Sequence, residues 1–216
     1  MNGYALIMKP QREQQISKAI SWLLRHGGQK EGINFRSDAF AKVTDILSYK
    51  RLKDMKVTFE EFEHVVKSND KQRFLIQEEI NEQGIPEAWI KATQGHSMVF
   101  KDISIKRIEN ANQIPVAIHG TYMKHIDSIF KNGLSKMNRT HIHFSVGKPG
   151  DKKVISGMRP DCNVLIYLDV QKCLDNGIEL YISENNVVLT EGENGILDKK
   201  FFLKVVDIKT GSNVNL

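Results

Sequence analysis

Four groups of side chains in this 216-residue sequence have types and spacings suited to chemistry. Arg25 and His26, within Leu23-Leu24-Arg25-His26-Gly27, set a guanidinium fork beside an imidazole, a donor pair that fits a phosphate or a carboxylate. A helix C-terminus attracts the same basic pair through its macrodipole, so the pair alone leaves both readings open. Arg73, in Gln72-Arg73-Phe74-Leu75, reads as a strand residue sharing a face with Leu75, opposite Phe74 and Ile76. A solvated strand face would look the same. Gln94-Gly95-His96-Ser97 reads as a polar tight turn after a strand, which needs no function. The last group comprises His119-Gly120-Thr121, Arg139-Thr140-His141-Ile142-His143-Phe144-Ser145 and Ser156-Gly157-Met158-Arg159. His141 and His143 point the same way from one strand, but no carboxylate or cysteine stands at ligand spacing beside them, so no metal site is expected. The common Gly-rich phosphate loops and the nucleophile elbow are absent.

The elements that must carry these groups follow from periodicity. Ile16, Ala19, Ile20, Leu23 and Leu24 form the apolar face of a helix, with Gly27-Gly28 as its expected left-handed stop. Residues 34–43 read as a short extended piece, and Thr44 as the cap of a helix through Ile46, Leu47 and Leu52. Thr58-x-x-Glu61 is a capping box for a helix whose apolar face is Phe59, Phe62, Val65 and Val66. Strands are expected over 72–78 and 87–93, joined by a turn at Gly84-Ile85-Pro86. Three helices and a two-stranded wing are the order of a winged-helix unit, which often binds nucleic acid but also serves as a plain protein scaffold.

The pattern weakens between Lys101 and Gln113, and the domain boundary is expected there. Beyond it lies a strand ending at His119, then a helix capped by Thr121 and closed by Gly133. Further strands are expected over 141–146, 163–168, 180–183, 187–189 and 201–206, with one short helix at 171–176 closed by Gly177. The fold class is therefore α+β.

Composition bounds the rest. An apolar content of 40%, a charged content of 26% and a net charge of +5 describe an ordinary globular chain that tolerates a polyanionic partner without proving one. No apolar run reaches membrane-spanning length. No signal peptide is visible, and Cys162 and Cys173 are too few for a disulfide framework. A reduced cytoplasmic or nuclear setting is expected.

Taken in order, Leu24-Arg25-His26-Gly27, Arg73-Phe74, Gln94-Gly95-His96-Ser97, His119-Gly120-Thr121, His141-Ile142-His143-Phe144, Gly157-Met158-Arg159 and Asn186-Val187-Val188-Leu189-Thr190 resemble the NAD-dependent RNA 2′-phosphotransferases. Each motif is weak alone; the ordered set, running from Ile16 to Val206, is specific. The resemblance implies a winged-helix RNA-binding lobe over 1–108 and an ADP-ribosyltransferase-like lobe, a mixed β-sheet that binds NAD, over 109–216. It implies a catalytic tetrad of Arg25, His26, Arg73 and Arg159, turned by the two lobes toward one cleft. It also implies NAD contacts from His119, Gly120, Thr121, His143 and Ser145, with Arg139 near the NAD or RNA phosphates. Lys91 stands where the family often has Arg, and Val187 or Val188 where protein-modifying relatives carry a glutamate, although Glu184 and Glu191 are close.

The implied reaction takes the splice-junction 2′-phosphate off ligated tRNA in two steps. The phosphate attacks the nicotinamide ribose of NAD, releasing nicotinamide. The ribose 2″-hydroxyl then cleaves the joined product to 2′-hydroxyl RNA and ADP-ribose 1″,2″-cyclic phosphate. His26 is a candidate proton donor to the departing RNA oxygen, because Arg cannot plausibly give up a proton. The implied enzyme is a monomer with no membrane partner. Two alternatives are an ADP-ribosyltransferase acting on nucleic-acid ends or protein, and a non-catalytic RNA-binding protein.

Overall fold

A computed structural model describes residues 8–151, 154, 158–159 and 161–215. Ser156 and Gly157, singled out above, lie outside the described residues. Among those described, six α-helices and twelve strands form a mixed α+β chain. The chain divides into two compact units, 1–103 and 104–216.

In the first unit, helix α1 (Pro10–Trp22) runs into one widened π turn, Leu23–Gly27, in which the Gly28 N–H donates to the Leu23 carbonyl at 2.9 Å. Ile16, Ala19, Ile20, Leu23 and Leu24 are all buried, as their spacing requires. The glycines do not make a left-handed stop: Gly28 is right-handed, at φ −58°. They are required for close approach instead. A Cβ on Gly27 would stand 2.1 Å from the Trp22 ring, and one on Gly28 would stand 2.6 Å from both the Leu23 carbonyl and the Phe35 ring. The left-handed glycine comes later, at Gly32 (φ 78°).

Strand β1 (Ala41–Lys42) leads into α2 (Val43–Ser48) and α3 (Lys50–Asp54). Thr44 does not cap α2; Lys42 is the residue before its first turn, and Val43 is buried inside that turn. Helix α4 (Phe59–Lys67) has the expected capping box, with reciprocal Thr58 and Glu61 bonds of 3.2 Å. Arg12 of α1 forks onto the same Glu61, at 2.5 and 2.6 Å, and so clamps the two helices together. Strands β2 (Phe74–Ile80) and β3 (Pro86–Ala92) form a hairpin, with β1 on the far edge of β3. One core joins the α1 stripe to Ile46, Leu52, Phe62, Val65, Phe74 and Ile90.

The second unit begins with β4 (Ile105–Arg107). That piece pairs with a later strand of this unit, and the 103/104 division lies within the 101–113 interval where the pattern weakens. The strand was hidden because an edge strand with Lys106 and Arg107 exposed has no apolar alternation. Next come β5 (Ile118–Thr121), α5 (Ile126–Asn132), β6 (Leu134–Ser135), β7 (Ile142–Ser145), β8 (Val164–Leu168) and α6 (Val170–Asp175). The chain then continues through β9 (Tyr181–Ser183), β10 (Val187–Thr190), β11 (Ile196–Leu197) and β12 (Phe202–Asp207).

Thr121 is a strand residue, not a cap; its carbonyl accepts from Asn163, and a short 3-10 turn at Met123–His125 intervenes before α5. The seven-stranded sheet has the order β12-β8-β5-β7-β10-β9-β4. Every neighbouring pair in it is antiparallel, so the expectation of mixed strand direction is corrected. One face packs Phe144, Ile166, Val188, Phe201 and Val205 into the main core, and the other packs Ile118, Leu165 and Tyr167 beneath Cys162. Both cysteines are buried thiols, and burial pushes Cys173 up to about 12. No helix among the described residues is long and apolar enough to cross a membrane.

Candidate active site

In the first unit the π turn and the chain after β3 build one site together. The Arg25 carbonyl accepts from the Ser97 N–H at 2.8 Å, and the Ser97 Oγ lies 3.0 Å from His26 Nδ1. With a proton on Nδ1, His26 donates to Ser97, whose hydroxyl passes on to the Arg25 carbonyl at 3.4 Å. That chain fixes the orientation of the ring. Gly95 sits at φ 87°, and a Cβ there would stand 3.5 Å from the Arg25 guanidinium carbon. The left-handed backbone is what calls for glycine here, and the turn it makes lies in ordinary contact with the Arg25 side chain.

The same segment reaches Arg73. Thr93 N–H donates to the Arg73 carbonyl, and Thr93 Oγ1 to the Gln72 carbonyl, both at 3.0 Å. Arg73 precedes β2 rather than lying on it, because Gln72 in the left-handed region (φ 43°) bends the chain there. Asn69 Oδ1 accepts from both the Arg73 N–H (3.1 Å) and its guanidinium (3.3 Å). Burial lowers the Arg73 pKa, with Asp70 acting weakly against it. Arg25, His26 and Arg73 line one groove of about 570 Å³, together with Ser17, Ser21 and Lys71.

The partner of Gln94-Gly95-His96-Ser97 is a helix end some seventy residues away, hence invisible to local patterns. Gln94 and His96 are buried, His96 with its ring edge-on to Phe100 at 5.4 Å. Lys91 is also buried, its ammonium 4.8 Å from the centre of the Phe40 ring.

The second unit gathers its own set. His119 Nδ1 lies 2.9 Å from the His143 carbonyl, which can only accept, so Nδ1 carries the proton. Desolvation lowers the His119 pKa, and the charges of Arg139 and Arg159 press the same way against the opposing carbonyl bond. The ring is therefore a neutral imidazole whose Nε2 accepts. Desolvation first, and then the Arg159 charge, lower Arg139 as well.

Arg159 lies 5.9 Å from the centre of the Tyr122 ring, and Tyr122 Oη donates to Asp161 at 2.8 Å. Gly120 is the seat of the preceding residue: a Cβ there would stand 2.5 Å from Met158 Cγ and 2.8 Å from Cys162 Sγ. Thr121, His143 and Ser145 are buried, and the Ser145 hydroxyl bonds the Gly147 carbonyl at 2.7 Å. His141 turns elsewhere, its Nδ1 on Thr140 and its ring near Tyr181. Val187 and Val188 are fully buried in β10, while Glu191 pairs with Lys136 at 3.3 Å. A neutral acceptor within the field of two guanidinium charges suits a ligand bearing both hydroxyls and anionic oxygens.

The depressed His119 carries a pH prediction. As pH falls below the ordinary value of 6.5, the unfolded imidazole takes up a proton and the folded one does not. Stability is expected to be full above that pH and to decline below it, until the folded pKa is passed. Urea midpoints at pH 7.5 and 5.5 measure this. His119→Asn should flatten the decline in part, since burial also lowers His141.

The sequence profile of the RNA 2′-phosphotransferase, Tpt1/KptA family matches residues 11–192. A tRNA 2′-phosphotransferase 1 of Danio rerio is 41% identical over 201 residues, spanning 92% of this chain and 87% of its own length. The tRNA 2′-phosphotransferase of Saccharomyces cerevisiae is 39% identical over 191 residues, 86% of this chain and 81% of its own. A bacterial relative, the probable RNA 2′-phosphotransferase of Flavobacterium johnsoniae, is 33% identical over 177 residues, 82% of this chain and 90% of its own. A match of that extent, over a chain carrying the ordered Arg, His and Gly motifs, makes it a member of the RNA 2′-phosphotransferase, Tpt1/KptA family.

Proposed function

We propose that this chain removes the 2′-phosphate from ligated tRNA by transfer to NAD, yielding 2′-hydroxyl RNA, nicotinamide and ADP-ribose 1″,2″-cyclic phosphate. Its first unit acts as a winged-helix RNA lobe and its second as an ADP-ribosyltransferase-like NAD lobe. It works as a monomer in the cytoplasm or nucleus. The observation that carries the reading is the convergence of Arg25, His26 and Arg73 on one groove, tied together by Thr93 and Ser97.

Bound NAD supplies an electrophilic ribose carbon with nicotinamide as leaving group. Arg25 and Arg73 hold the phosphoryl oxygens and align the phosphate, a role of placement and charge. Arg159, in the second unit, is the remaining cation that the resemblance assigns to the reaction, a donor suited to developing negative charge. His26, as the imidazolium held through its Nδ1–H on Ser97, donates its Nε2 proton to the departing 2′-oxygen and is left neutral. His119, as a neutral acceptor, takes a ribose hydroxyl, and Arg139 meets a diphosphate oxygen. Gly120, Thr121, His143 and Ser145 shape the nicotinamide end. Against a protein-directed transferase, β10 (Val-Val-Leu-Thr) carries no carboxylate.

Incubation of a short RNA bearing one internal 2′-phosphate, with and without NAD, tests the reading. Dephosphorylation with nicotinamide release is expected only with NAD. Phosphate loss without NAD, or transfer that stops once nicotinamide has left, would overturn it. In single turnover, His26→Ala should let nicotinamide release run ahead of 2′-hydroxyl RNA. Equal slowing of both would reduce His26 to a phosphate ligand.

A further inference from the structure

The groove that holds Arg25, His26 and Arg73 is far larger than one phosphate needs. Its volume is about 570 Å³, whereas a water occupies about 30 Å³ of liquid. It continues away from Arg25 along the polar side of α1, where Gln14, Ser17, Lys18 and Ser21 recur at helical spacing opposite the buried Ile16, Ala19 and Ile20. Its other wall is the segment from Ser68 to Arg73, which brings Lys71 beside Arg73 across the bend at Gln72. We infer that Lys71, with Lys18 and the hydroxyls of Ser17 and Ser21, forms a second anion subsite that binds the RNA phosphodiester next to the 2′-phosphate. This assignment deepens the function proposed above and rests on it for the identity of the ligand as RNA.

Charge and hydration point the same way. Burial lowers the Lys71 pKa, and the Arg73 charge lowers it further, so a ligand anion there would relieve both penalties. Two acids also line the groove. Glu13 accepts from Ser68 Oγ at 2.8 Å, and Asp70 acts on Arg73. They leave the lining with an excess of cations, namely Lys18, Lys71, Arg25 and Arg73. A 2′-phosphate in an RNA chain always has the 3′,5′-phosphodiester of the same ribose beside it. Two anions a few bonds apart therefore call for two adjacent cationic positions, which Arg73 and Lys71 provide.

The test reads binding, without NAD, so that turnover does not enter. A fluorescent pentaribonucleotide with one internal 2′-phosphate is titrated with the full chain between 50 and 300 mM NaCl. Each phosphate contact by a lysine contributes about 0.7 to the slope of log affinity against log salt for single strands. Lys71→Ala should weaken binding about fivefold at low salt and flatten the slope by about that amount. Lys18→Ala, on an exposed helix position, should do the same to a smaller degree and stands in if Lys71→Ala fails to fold. Unchanged affinity and slope in the folded variants overturns the subsite. So does an equal loss with a pentaribonucleoside whose phosphodiester next to the 2′-phosphate is replaced by an uncharged methylphosphonate. Turnover of the wild type with NAD is scored separately. Its absence would sink the transferase reading, while a salt slope still sensitive to Lys71 would keep the anion subsite.

Discussion

Arg25→Ala should lower kcat/KM on a 2′-phosphorylated RNA by about a hundredfold or more, the scale of one lost transition-state donor, with little change in melting temperature. The guanidinium packs against the Gly95 turn instead of within the apolar core, so removing it opens no core cavity. Its backbone carbonyl, which receives Ser97, survives the substitution, so His26 stays anchored. The loss would therefore report the side chain itself. Arg25→Lys should recover only a small part, because an ammonium cannot fork onto two phosphoryl oxygens. Steady-state kinetics beside thermal melts decide the matter. A variant with wild-type turnover, or one whose melting falls in step with its activity, would remove Arg25 from the reaction.

Gly120→Val should be as costly by a different route. The new side chain would occupy the space of Met158 and Cys162 and push aside the segment that leads into Arg159. Overpacking of this kind costs about 1–3 kcal/mol of stability, and a displacement of about 1 Å at a reacting group costs about a hundredfold in rate. Gly120→Ala should show the same direction at a smaller scale, since Met158 is flexible enough to yield. If Gly120→Val keeps full activity and affinity for NAD, the seat under Met158 has no bearing on Arg159.

Local chemistry was legible in the sequence and remote partners were not. The Thr58–Glu61 box, the β2–β3 hairpin and the closing glycines Gly133 and Gly177 each declare themselves within a few residues. The apolar stripe of α1 declared its buried face in the same way. Thr44 and Thr121 misled because a threonine before an apolar run looks alike as a cap and as a β residue. Arg73 was read as a strand residue because nothing in Gln72 announces a left-handed bend. The turn at Gln94–Ser97 looked dispensable because its partners, Arg25 and His26, lie far back in the chain. The basic residues themselves were plain to see. What holds them in place is tertiary: Ser97 on His26 and Thr93 on Arg73 in the first unit, and separately Gly120 under Met158 in the second.

The widened turn at Leu23–Gly27 has a consequence for redesign. It holds one residue more than a regular turn, and each helical residue advances about 100° around the axis. Excising a single residue there would favour an ordinary ladder and swing the guanidinium and imidazole around the cylinder by a quarter-turn or so, whereas a side chain at Gly27 or Gly28 would collide with Trp22, Phe35 and the Leu23 carbonyl. A variant with that helix end regularised would be expected to lose its chemistry even where it still folds, because the Arg25 carbonyl that receives Ser97 would turn away with the side chains.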